Sequence, residues 1–181
     1  MIAVQTKKLS VRARVLATLG AIVTAVLLPQ MLHLVGAASG VGSALGEALL
    51  PMHLPILLVG LLAGPVVGGV AGAVAPLLSF ALTGMPRAAL LPFMVIELVA
   101  YGVSTGLLAR VKMPTVLRVL AAQLAGRALR AVAILVAVFA FSYHAVPVSI
   151  IWNSVRTGLF GIALQWILLP LIVYRVERHE R

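Results

Sequence analysis

Apolar residues run through this chain in long, nearly unbroken stretches, punctuated by short clusters of glycine, proline and charge. Six stretches stand out, at residues 11–34, 51–62, 66–82, 91–108, 115–141 and 147–173. None alternates as a half-buried strand does, and most approach the ~20 residues a helix needs to cross a bilayer. The pattern predicts an all-α integral membrane protein: one transmembrane domain over residues 1–181, with six spanning helices. The second stretch is the weakest, being short and carrying Pro51 and Pro55. A Gly/Ala/Ser-rich loop is expected at residues 36–50. Turns are expected at Gly64-Pro65, at 83–87 and at 110–114.

Composition agrees with the pattern. Hydrophobic residues make up 62% of the chain and charged residues 10%, against about 45–50% and about 25% in soluble domains. No stretch is left to build a separate aqueous core. Lys7, Lys8, Arg12 and Arg14 precede an apolar run that is long for a signal peptide and lacks a small-x-small cleavage site, so it reads as the first span.

Charge refines the topology. The net charge is +10. With six spans both tails share a side, together with the turn between stretches 2 and 3 and the loop between stretches 4 and 5. That side holds Lys7, Lys8, Arg12, Arg14, Arg110, Lys112, Arg118, Arg175, Arg178 and Arg181, whereas the opposite loops hold Arg87. Cytoplasmic loops collect Lys and Arg, so both termini are expected in the cytoplasm. The basic excess is accounted for by topology, and nucleic acid is not an expected partner.

Catalysis is poorly provisioned. There is no cysteine, and the four acidic residues are all Glu. No HExxH, Walker A or GxSxG motif occurs, nor a pair of acids for proton transfer. No catalytic residue, cofactor or metal is expected. Met52 and His53, His33 and His144 are candidate metal or haem ligands, but a lone His near a helix end is more simply explained by a hydrogen bond.

Four ionisable groups are not explained by topology: Glu97, Arg127, Arg130 and Arg156. Ionisable residues inside spans are costly and normally face a cavity or one another. Counted along their helices, all four fall toward the outer half of the membrane. Phe93, Glu97 and Tyr101 share one helical face, as do Gln123, Arg127 and Arg130; Asn153 and Arg156 share another, with Trp152 a turn away. The expected site is an outward-opening polar cavity lined by Glu97, Tyr101, Gln123, Arg127, Arg130, Trp152, Asn153 and Arg156. Guanidinium forks suit a carboxylate or phosphate, so its ligand is expected to be a small anion. The structural alternative is a network in which Glu97 pairs with one arginine while the others snorkel outward.

Small residues are also spaced. Ala13, Ala17, Ala21 and Ala25 lie four apart, as do Gly60, Gly64, Gly68 and Gly72. Such rows let backbones approach closely. The glycines read as internal packing, and the alanines as either internal packing or a docking face.

The whole pattern resembles the substrate-binding S components of energy-coupling factor (ECF) transporters, the prokaryotic vitamin importers. The resemblance is carried by six spans in a short chain, the alanine row, the runs LPMHLP at 50–55 and LSFALTGMP at 78–86, the stretch 92–102 around Glu97, and residues 158–170. It implies a non-enzymatic, multi-pass protein of the prokaryotic cytoplasmic membrane. Such a subunit captures a vitamin outside and delivers it inward with a coupling transmembrane subunit and two ATPase subunits. It also implies that Ala13, Ala17 and Ala21 dock the coupling subunit and that the loop at 36–50 acts as a lid. The arginines favour an anionic vitamin such as pantothenate over neutral or cationic ones; folate and haem are further carboxylated candidates. The competing reading is a membrane enzyme or scaffold acting on anionic lipid head groups.

Overall fold

The computed structural model describes residues 9–42 and 44–179; the side chains of Glu177 and His179 are not described. Lys7, Lys8 and Arg181, counted in the topology above, lie outside the described residues. The described chain is built from helices: α1 (Val11–Ala38), α2 (Ala44–Leu49), α3 (His53–Ala63), α4 (Pro65–Thr83), α5 (Leu91–Leu108), α6 (Thr115–Phe141), α7 (Ile150–Thr157) and α8 (Leu159–His179). Among the described residues six helical units are long and apolar enough to cross a membrane, with α2 and α3 together (Ala44–Ala63) supplying the second.

Local chemistry explains most boundaries. Ser10 caps α1, its Oγ accepting from the Ala13 N–H at 3.2 Å. Gly64 separates α3 from α4 at φ 94°, a conformation that costs glycine little, and Pro65 follows in the first turn of α4, where its missing N–H is not needed. Pro55, the reason the second stretch looked weak, sits in the first turn of α3 and is tolerated for the same reason.

Two expectations change. The loop expected at 36–50 is mostly helical: α1 continues to Ala38, and α2 completes a span that 51–62 alone was too short to make. The two helices of that span meet at Leu50, which adopts φ 49°. The last stretch, expected as one helix over 147–173, is broken at Gly158 into a short α7 and a spanning α8.

The core is centred on α3, where Ile56, Leu57 and Leu61 are fully buried. The spaced glycines pack it. A Cβ on Gly68 would meet the carbonyl of Gly102, and one on Gly72 would meet the carbonyl of Leu98, so α4 and α5 touch backbone to backbone. Gly60 meets the same face of α5 at Thr105 and Gly102. Large apolar side chains point outward instead; Val15, Leu16, Leu19, Val23 and Leu27 of α1 are all more than half exposed. Small residues at the helix–helix contacts, with many large apolar side chains on the outer surface, is the arrangement expected of helices packed together in lipid.

Candidate functional site

Glu97 is the centre of the interior polar chemistry. It lies about 9 Å from the start of α5, at 1.5 Å per residue, and is completely buried. One helical turn on, the Tyr101 hydroxyl donates to its Oε1 at 2.8 Å. From α6, Arg130 Nη1 donates to Oε2 at 2.7 Å, forming a charge-assisted pair. His53 of α3 brings Nε2 within 3.9 Å of Oε1, too far for a hydrogen bond, and its ring tilts against Tyr101 with centroids 5.5 Å apart. Three helices thus meet on one carboxylate. Gly126 makes the approach of α6 possible, because a Cβ there would collide with the Tyr101 ring.

Arg127 is the surplus. Among the described residues it makes no ion pair, and its Nε is buried without a hydrogen-bond partner. It opens instead onto a hollow of about 30 Å³ between α6 and α7, lined by Arg127, Arg130, Ala131, Ile151, Ser154 and Val155. The lining residues of α7 follow the helical spacing i, i+3, i+4. No residue of α7 is buried, so this short helix lies over the arginines as a cover. The formal charge at the site is +1: two guanidinium groups against one carboxylate.

A second polar cluster lies elsewhere on α6. Gln123 Nε2 donates to Gln165 Oε1 at 2.7 Å, Gln165 Nε2 donates to the Leu50 carbonyl at 3.4 Å, and Trp166 Nε1 donates to Gln123 Oε1 at 2.7 Å. This chain of amides ties α6 and α8 to the joint between α2 and α3. Gln165 and Trp166 lie outside the site expected from the sequence; their signal there is an apolar stretch interrupted by one Gln, since an amide in a span needs a partner.

The expected site residues therefore separate into three groups. Glu97, Tyr101, Arg127 and Arg130 come together, with Phe93 buried nearby and its ring 6.2 Å from that of Tyr143. Gln123 is buried but engaged with Gln165 and Trp166. Trp152, Asn153 and Arg156 are exposed. The break at Gly158 sets α7 apart from α8, and α7 turns Ile151, Ser154 and Val155 toward the arginines, leaving the other three facing outward. His53, absent from the expected site, joins it.

Of the alanine row, Ala21 and Ala25 are buried inside the bundle, while Ala13 and Ala17 are partly exposed, with Ala17 resting on the core. Among the described residues no cluster of three or more His, Cys, Asp or Glu side chains could hold a metal ion. His144 is exposed and His33 partly buried.

A bundle of six spans around an ion pair and an extra guanidinium defines a multi-pass membrane protein with a charged interior site. The family of ECF transporter substrate-specific components matches residues 7–173, nearly the whole chain, and the chain belongs to it. Comparison with curated proteins and with solved structures gave no match. Membership makes the chain the substrate-specific subunit of a transporter in the cell membrane, not an enzyme.

Proposed function

We propose that this subunit captures a small anionic vitamin, pantothenate being the first candidate, from the outer side and hands it inward with a coupling transmembrane subunit and two ATPase subunits. One observation carries the reading: Arg127, a partly buried guanidinium whose Nε lacks a partner, faces a hollow beside a Glu97–Arg130 pair that already satisfies its own charges. The guanidinium fork is shaped for a carboxylate, and among the described residues none bonds to it: Glu97, the neighbouring one, is bonded to Arg130 and Tyr101.

The hollow holds about two water molecules, whereas a solute of this size needs a pocket of roughly 300 Å³ or more. Capture therefore requires an opening. The helix α7 is suited to supply it, since it buries none of its residues and ends at Gly158. The short linker left between α1 and α2 is the remaining part of the lid inferred from the sequence.

For orientation, Arg12, Arg14, Arg110, Lys112, Arg175 and Arg178 are exposed at helix ends, which supports cytoplasmic termini. Docking of the coupling subunit is assigned to the first turns of α1, around Ala13 and Ala17; Ala21 has little surface to contribute.

The test is equilibrium binding of labelled pantothenate to the purified chain in lipid nanodiscs. Tight binding lost by at least 100-fold in Arg127→Gln is expected. Binding unchanged by that substitution contradicts the assigned role of Arg127, and tight binding of a cationic vitamin instead contradicts the anionic reading.

A further inference from the structure

The charges around the hollow count more than one way of binding an anion, and the count selects among anions. Arg130 and Glu97 neutralise each other across 2.7 Å, with Glu97 wholly buried and the Arg130 side chain 15% exposed. Arg127 makes no ion pair of its own among the described residues, and with a single carboxylate beside two guanidinium groups the cluster keeps a net charge of +1. The remaining lining offers nothing charged: Ala131, Ile151 and Val155 are apolar, and Ser154 directs its hydroxyl to the Ile151 carbonyl at 3.1 Å. Arg156 is exposed and does not line the hollow. Arg118 lies nine residues before Arg127 on α6, over 13 Å away along the helix axis by about 1.5 Å per residue, and donates to the Val111 carbonyl. His53 does not line the hollow.

We propose, resting on the anionic reading above, that Arg127 sets a charge rule for the site: the transported solute carries a single carboxylate on an uncharged body, and dicarboxylates and phosphate esters are rejected. A monoanion brings the site to neutrality. However the hollow opens, its lining holds no cation besides Arg127 and the Glu97-paired Arg130, so a second negative charge taken out of water there has no counter-charge, which is unfavourable. A neutral solute would leave Arg127 as unpaired as it is without one. Apolar walls with few polar anchors are typical of small-molecule pockets that bind one head group and accommodate the rest.

The test uses the purified full chain in nanodiscs. It is equilibrated with pools of vitamin-sized solutes sorted as neutral, cationic, monocarboxylate, dicarboxylate and phosphate ester, and retention is read by mass spectrometry. Expected is retention from the monocarboxylate pool alone, at least 100-fold above the dicarboxylates, lost in Arg127→Gln and largely kept in Arg127→Lys. Ser154→Lys, a substitution on the surface helix α7 that raises the site to +2, is expected to shift retention toward dicarboxylates by at least 10-fold. Retention of a dicarboxylate or phosphate ester by the unmodified chain, sensitive to Arg127, overturns the single-charge rule while leaving an anionic solute. Retention of neutral or cationic solutes, retention insensitive to Arg127, or no retention from any pool counts against both.

Discussion

Replacing Glu97 by Gln removes the carboxylate facing Arg130 at nearly constant shape. The structure sets the size of the effect. Glu97 is fully buried and the Arg130 side chain is 15% exposed, so the stranded guanidinium recovers little hydration. Removing one partner of a buried pair typically costs about 3–5 kcal/mol. Tyr101 keeps an acceptor in the amide oxygen, and Arg130 retains an opening to the hollow, so about 3 kcal/mol is expected. Arg130→Gln should cost more, since it strands a carboxylate with no exposure at all. The double variant should recover a large part of the loss, because neither charge is then left alone. The assay is reversible unfolding in mixed micelles, arranged as a double-mutant cycle. A loss below about 1 kcal/mol for Glu97→Gln, or single losses that simply add in the double variant, would refute the buried pair as a stabilising link between α5 and α6.

Other consequences follow from the packing. Gly102→Ala places a methyl against the Gly68 backbone, so α4 and α5 must separate; a loss of about 3 kcal/mol, at the upper end of ordinary overpacking, is expected in the same unfolding assay. Gln165→Leu leaves the buried amide of Gln123 without its acceptor and should cost about 1–3 kcal/mol, with partial recovery in the double variant Gln123→Leu/Gln165→Leu. Arg156→Gln should leave solute binding within about threefold, since the residue is exposed and does not line the hollow. Single cysteines placed at Arg12 and at Arg87 should be labelled by a membrane-impermeant reagent from opposite sides of the membrane, with Arg87 outside.

Much of the fold was readable because it depends on apolar length. The stretches at 91–108 and 115–141 coincide with α5 and α6, since each is bounded by a proline and runs without interruption. The i, i+4 spacing placed Glu97 and Tyr101 on one face, and they bond to each other. The glycine row read as internal packing is just that at Gly60, Gly68 and Gly72. What escaped notice depends on contacts between helices. Leu50 breaks a span while carrying no turn residue of its own, and its left-handed backbone is visible only in the folded chain. Gly158 breaks the last stretch where it packs closely on the side chain of Leu50, a residue far away in sequence. That break carries Trp152, Asn153 and Arg156 away from the buried ion pair, even though helical spacing had placed them together. Gln123 looked like a site residue from its spacing with Arg127, but its partner lies 42 positions along the chain, beyond any local pattern.

Everything proposed for transport depends on Arg127 holding the acidic end of the solute. The most direct measurement is to release and identify by mass spectrometry whatever small molecule leaves the cell bound to the purified chain, beside Arg127→Gln prepared in the same way. A carboxylate-bearing solute present in the first preparation and missing from the second is the expected result. A neutral or basic compound, or the same compound retained equally by both, would contradict it.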